Sequence, residues 1–176
     1  MQTVKWGTAL WVPLHAIAFN YPLKPTQEDK DKYSSYFRQT GHILPCKYCR
    51  KSYIAYMKEI PIEPFLDTRE GVCYWLFTIH NLVNHKLYKP LEKFSDVIVK
   101  YEKMRAKCGS VRKNDVKYKS CAKKFYKNVD KRIIVQFLEK TQLYTQLMSF
   151  FVNNLFNKED KEDNPNIEAI KKSLNS

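Results

Sequence analysis

Four helix-patterned segments, joined by short connections marked with proline, fill the first ninety residues of this chain. From Trp6 to Tyr21 the apolar residues Leu10, Trp11, Leu14, Ile17, Ala18 and Tyr21 recur at helical spacing. Pro13 predicts either a kink or a place in the first turn. Pro22 and Pro25 end the segment, and Thr26 with Asp29 three residues on is an N-cap pattern that opens a second helix toward His42. Gly41 and Pro45 close that helix and place Cys46 at the N-terminus of a third, running to about Lys58. After the loop Ile60-Pro61-Ile62-Glu63-Pro64, a fourth helix is expected from about Asp67 to Tyr88, with Pro90 as its stop. Helices with such short joints predict a bundle. Only 4 Gly and 8 Pro in 176 residues speak against a turn-rich β fold.

A shorter fifth helix is expected from Ser95 to Lys107, and the composition shifts after it. Ile133 to Phe156 has one apolar face, made of Ile134, Phe137, Leu138, Leu143, Leu147, Phe150, Phe151 and Leu155. That face needs a cover, either the flank of the preceding bundle or another chain. The Lys-, Glu-, Asp- and Asn-rich tail after Asn157 is expected to fray. The expected fold is therefore all-α: a four-helix bundle with a short fifth helix over residues 1–104, a basic helical extension over 105–160, and a flexible tail over 161–176.

The net charge of +13 is unevenly spread. Residues 100–132 hold 13 Lys/Arg against Glu102, Asp115 and Asp130, so 10 of the 13 excess charges lie there. Such a block can bind nucleic acid or another anionic surface, or it is a solvated basic face. It supports one functional hypothesis: a nucleic-acid or partner-binding helical module whose cysteine pair is structural or inactive. No apolar run approaches the roughly 20 residues of a membrane span. The segment Met1 to Gly7 lacks the features of a signal peptide. The expectation is a chain used in the cytosol, or imported by a route that needs no presequence.

The cysteines carry the second hypothesis. Cys46 and Cys49 form a Cys-x-x-Cys; Cys73 stands alone among apolar residues; Cys108 and Cys121 lie in the basic block. Without a secretion signal, a catalytic dithiol is favoured over structural disulfides. Residues three apart share one helix face, and a helix N-terminus stabilises a thiolate. Lys47, Arg50 and Lys51 add positive charge. A zinc site from Cys46, Cys49, His80 and His85 competes, but histidines five apart on one helix point about 140° from each other. A thioredoxin-like arrangement would need a strand before Cys46, and none is patterned there. The fourth segment offers His80, Asn81, Val83 and Asn84, and the first offers Trp11 and His15. Each alone is more often core than ligand. Together they need hydrogen-bond partners that an apolar bundle does not supply, which points to a planar redox cofactor lying against Cys49.

Read in order, Trp6-Gly7, Trp11-x-x-Leu14-His15, Tyr21-Pro22, Pro25-Thr26, Pro45-Cys46-x-x-Cys49, Trp75 and His80-Asn81-x-Val83-Asn84-x-x-Leu87-x-Lys89-Pro90 resemble the Erv/ALR sulfhydryl oxidases over residues 5 to about 101. The resemblance implies an FAD-dependent thiol oxidase that forms disulfides in protein dithiols and reduces molecular oxygen to hydrogen peroxide, usually as a homodimer. It implies that Cys46 is the outer sulfur attacked by substrate and that Cys49 lies next to the flavin. It further implies that Lys5, Gly7, Trp11, His15, Cys49, His80, Asn81, Val83, Asn84, Lys86, Lys89 and Tyr101 line the FAD site. Cellular members carry a structural disulfide from the fourth helix to the segment after it; here the helix position is Phe77, and no cysteine follows Pro90 before Cys108. Cys108 and Cys121 are a shuttle disulfide, a structural disulfide or unpaired thiols. The absent staple, the absent targeting segment and the Lys/Asn/Tyr-rich extension resemble the enzymes of large DNA viruses. That implies a late protein of the host cytoplasm or virion; the alternative is the mitochondrial intermembrane space.

Overall fold

The computed structural model describes residues 2–105, 131–158 and 167–174. Cys108, Cys121 and most of the basic block lie outside them. The described elements are α1 (Thr3–Phe19), α2 (Gln27–Ile43), α3 (Lys47–Glu59), a single 3-10 turn (Glu63–Phe65), α4 (Arg69–Lys86), α5 (Phe94–Glu102), α6 (Lys131–Lys158) and α7 (Ile167–Leu174). Every regular element among them is helical, as the segment pattern predicts. No described helix is long and apolar enough to cross a membrane.

α4 is the hub. Val72 through Ile79 are all buried, so this helix has no solvent face along its middle. A helix apolar all round must be surrounded. α1, α3, α5, α6 and α7 all pack on it, while α2 packs on α3. The ends of these helices are fixed locally. Thr26 and Asp29 form the expected capping box, each side chain accepting the other's backbone N–H. Thr68 caps α4 by accepting the Gly71 N–H at 3.0 Å. Gly71 has no side chain for a reason: a Cβ there would come within 2.5 Å of the Phe65 carbonyl and 2.9 Å of the Tyr144 ring.

Some expected boundaries move. α1 starts at Thr3 rather than Trp6, and Pro13 lies well inside it instead of in its first turn. α5 stops at Glu102, before the expected Lys107. There the chain turns, and the Arg105 guanidinium donates to the Glu102 carboxylate and to the Phe19 carbonyl. α6 is covered by the preceding bundle, but through a face rotated from the expected one: Phe137, Tyr144, Met148 and Val152 enter the same core as α4, while Leu143 and Phe150, expected on the buried face, are exposed. The tail expected to fray contains α7, which packs on α4 and α6 with Ile170 and Ser173 buried. Its polar composition conceals one residue in each turn that can be buried.

Candidate active site

Cys46 is the N-cap of α3, and its Sγ accepts the Cys49 backbone N–H at 3.4 Å. The free N–H groups of a first helical turn favour negative charge on that sulfur. A hydrogen bond from the Cys49 side chain, then the backbone N–H of Cys49, bring the Cys46 thiol down to about 7. Burial pushes the Cys49 thiol the other way, upward. The two sulfurs therefore differ: one is accessible and acidic, the other withdrawn. Thr3 Oγ1 lies 3.9 Å from Cys49 Sγ, which seats the N-terminus of α1 beside the inner sulfur.

Cys49 forms part of the wall of a cavity of about 540 Å³ between α1, α3, the C-terminal half of α4 and α5. Gly7, Trp11, His80, Val83, Asn84, Lys86, Lys89 and Tyr101 line it, so most of the expected site residues converge. Trp11 lies flat on His80, ring centroids 4.1 Å apart and 15° between planes. His15 sits behind them, fully buried, with Nε2 3.1 Å from His80 Nδ1 and its ring stacked on Tyr101 at 4.8 Å. Burial holds both imidazoles neutral: His80 falls to about 3, helped by Lys100 and Lys89, and His15 falls well below its ordinary value. The 3.6 Å contact between His80 Nδ1 and the Glu92 carboxylate is thus a polar contact of a neutral ring, not an ion pair.

Three expected residues do not line the cavity: His15, behind the Trp11–His80 pair, Lys5 and Asn81. Lys5 is exposed on α1 and does not line the cavity. Asn81 is buried behind it, where its amide donates to the Glu92 carbonyl at 2.9 Å and accepts the Glu92 N–H at 3.0 Å. Asn81 thus holds the chain segment that follows α4. His85 lies against Phe156 of α6, away from His80. Trp6, Tyr53, Glu92 and Lys100 line the cavity without having been expected there. Glu92 and Lys100 follow Pro90, where no spacing pattern marks them. Trp6 stands inside the quoted motif run, which was the available signal.

The turn after α4 aims Lys89. Tyr88 has φ of 52°, the left-handed conformation. The Tyr88 N–H donates to the His85 carbonyl and the Lys89 N–H to the Asn84 carbonyl, the paired bonds of a Schellman stop. Lys86, Lys89 and Lys100 give the cavity rim three cations. The buried donors Trp6 Nε1 and Tyr53 Oη, together with His15 Nδ1, have no hydrogen-bond partner among the described residues. A ringed, hydrogen-bonding, anionic group suits such a cavity: flat aromatic walls, unspent polar atoms and a cationic rim.

The comparisons agree with this geometry. Residues 8–107 match the Erv1 / Alr family. The chain is 35% identical over 104 residues to a protein named "Probable FAD-linked sulfhydryl oxidase" in Acanthamoeba polyphaga mimivirus, covering 58% of this chain and 73% of that one. It is 36% identical over 84 residues to the mitochondrial FAD-linked sulfhydryl oxidase ERV1 of Saccharomyces cerevisiae, covering 48% of this chain and 43% of that protein. The crystal structure of the FAD binding domain of Erv1 from the same yeast superposes with a TM-score of 0.53 at 32% identity, covering 56% of this chain and 91% of that one. With more than half of its length matched and its helical core shared, this chain belongs to the Erv1/Alr family.

Proposed function

We propose that the chain is an FAD-linked sulfhydryl oxidase that introduces disulfides into protein dithiols. The observation that carries this reading is the placement of Cys49 in the cavity wall, with Cys46 one helical turn away at the α3 N-terminus. Trp11, His15, His80 and Tyr101 would hold the flat part of FAD, and Lys86 and Lys89 its phosphates, with Gly7, Val83 and Asn84 completing the wall. Bound FAD supplies a two-electron acceptor and an outlet to molecular oxygen, which leaves as hydrogen peroxide.

The cysteines divide the exchange between them. A substrate thiolate attacks Cys46 of the oxidised pair; an S–S bond forms to Cys46, and Cys49 leaves as a thiolate. The second substrate thiolate attacks the substrate sulfur of that mixed disulfide and expels Cys46. The acidity of the Cys46 thiol makes it a good leaving group in this step. The substrate has then lost two electrons and two protons, and Cys46 and Cys49 have become the dithiol. Cys108 and Cys121, outside the described residues, are candidates for a shuttle to this pair.

In this reading residues 1–104 are the oxidase unit, and α6 of the extension buttresses it through the shared core. The chain works as a homodimer on viral substrates in the host cytoplasm or virion, a setting supported by the likeness to the mimivirus protein. A visible spectrum of the purified protein before and after dithiothreitol in air tests the reading. A flavin spectrum that bleaches once oxygen is spent, with hydrogen peroxide formed, is expected. A protein that neither carries nor takes up FAD would overturn it.

A further inference from the structure

We propose that the face around Cys46 docks an acidic, apolar segment of the protein substrate. The proposal rests on the oxidase reading above and names the class of substrate it serves. Residues 2–27 and 32–58, which include all of α1, all of α3 but its last residue Glu59, and most of α2, contain no Asp or Glu. The same stretches hold eight Lys/Arg. Lys47 and Lys51 lie in the first two turns after Cys46, and Lys5 is exposed in the first turn of α1, the turn whose Thr3 lies beside Cys49. None of these three lysines has an ion-pair partner among the described residues, whereas Lys32 pairs with Glu28 and Arg38 with Glu63. The carboxylates that neutralise α2 sit at its opposite end, in its first turn.

Apolar side chains stand among these cations. Val4 is 87% exposed, Ile43 78% and Tyr48 79%. Val4 and Tyr48 both line the cavity that Cys49 lines, and Ile43 lies three residues before Cys46. One exposed apolar residue is ordinary; three around a reactive sulfur form a contact surface. A surface with one sign of charge and apolar anchors selects a partner of opposite charge with apolar residues beside its cysteine. Stabilising the Cys46 thiolate is the other use for such cations, but it would speed exchange with every thiol alike.

The test uses the full chain loaded with FAD and three substrates: dithiothreitol, a Cys-x-x-Cys peptide flanked by Leu and Glu, and the same peptide with Lys for Glu. We expect kcat/KM for the acidic peptide to exceed that for the basic one by about tenfold or more at low salt, mainly through KM. The preference should shrink several-fold near ~0.5 M salt, where screening reaches only a few ångströms. The K47E/K51E double variant should lose the preference or invert it; the ratio of the two peptides cancels any change in thiolate reactivity. Equal kcat/KM for both peptides at low salt, with dithiothreitol still oxidised, would overturn the docking proposal and leave the oxidase reading intact. Cysteine-free versions of both peptides, followed by fluorescence anisotropy, decide docking without turnover. Tighter binding of the acidic one supports it and equal binding sinks it, even if no thiol is oxidised and the oxidase reading fails.

Discussion

Phe94, at the start of α5, packs against Phe77 in the middle of α4 with ring centroids 4.9 Å apart. Phe77 is the position where resemblance to cellular relatives implies one end of a structural disulfide between α4 and the segment after it. Here that junction is closed by aromatic packing. Tyr74 meets Phe94 edge-on at 5.2 Å, Phe137 of α6 meets it at 6.0 Å, and Phe137 stacks on Phe19 of α1 at 5.4 Å. The extension thus contributes a ring to the joint. Replacing Phe94 by Ala should cost about 3–5 kcal/mol, as for other fully buried phenylalanines, read as a shifted urea midpoint. A loss below about 1 kcal/mol would show that the joint is held some other way.

Cys46 should titrate near 7 and Cys49 above its ordinary range. The rate of Cys46 alkylation by iodoacetamide, followed by mass spectrometry of the reduced protein, should rise with pH and reach half its plateau near pH 7. In Cys49→Ala, which removes the largest cause of the depression, that midpoint should move upward. Cys73, fully buried with its thiol pushed well up, should stay unmodified until the protein is denatured.

The paired imidazoles predict acid sensitivity of the cofactor-free protein. The folded state holds His80 neutral down to about pH 3, while an unfolded chain protonates it near pH 6.5. The unfolded state therefore binds more protons below pH 6.5. The stabilisation is fully present above that pH and is lost as pH falls from 6.5 toward 3. His15 acts in the same direction. The melting temperature should fall over this window, and His80→Gln should flatten the decline by up to a few kcal/mol. Parallel curves for the two proteins would refute the assignment.

Asn81 supports the cavity from behind. Besides its two bonds to the Glu92 backbone, its amide lies 3.3 Å from Ser173 Oγ of α7. Asn81→Ala should cost about 1–3 kcal/mol through the unpaired Glu92 groups. It should also speed flavin release measured by fluorescence, because Lys89 and Glu92 belong to the segment it holds. Unchanged stability and flavin release would contradict a positioning role.

Tyr88 is 87% exposed and left-handed, so its backbone is strained with little burial of the ring to offset it. Tyr88→Gly should stabilise the fold by about 0.5–1 kcal/mol, the relief of an unfavourable φ less the added freedom of the unfolded chain. A fall in melting temperature would mean that the exposed ring makes a contact worth more than the strain.

Periodicity and proline punctuation located α1 through α6, because an amphipathic helix declares itself by its own spacing; in α6, with apolar residues on more than one side, that spacing did not single out Tyr144, Met148 and Val152 as the buried ones. The capping box at Thr26 and Cys46 at the start of α3 were legible for the same local reason: each depends on residues within a turn or two. The convergence of Trp11 with His80, Val83 and Asn84 joins α1 to α4 and was expected from the motif run and the resemblance it carries, not from local spacing. The packing of α7 was not legible, since burial of Ile170 depends on α4 and α6, remote in sequence. Nor was the turning of Asn81 away from the cavity, because neighbours on a helix differ by 100° in direction and only the packed segment at Glu92 decides which amide is spent on structure. Local spacing sets out the helices and the dithiol; packing selects which polar groups face the cavity and which hold its walls, because hydrogen-bond satisfaction in a core is settled between distant segments.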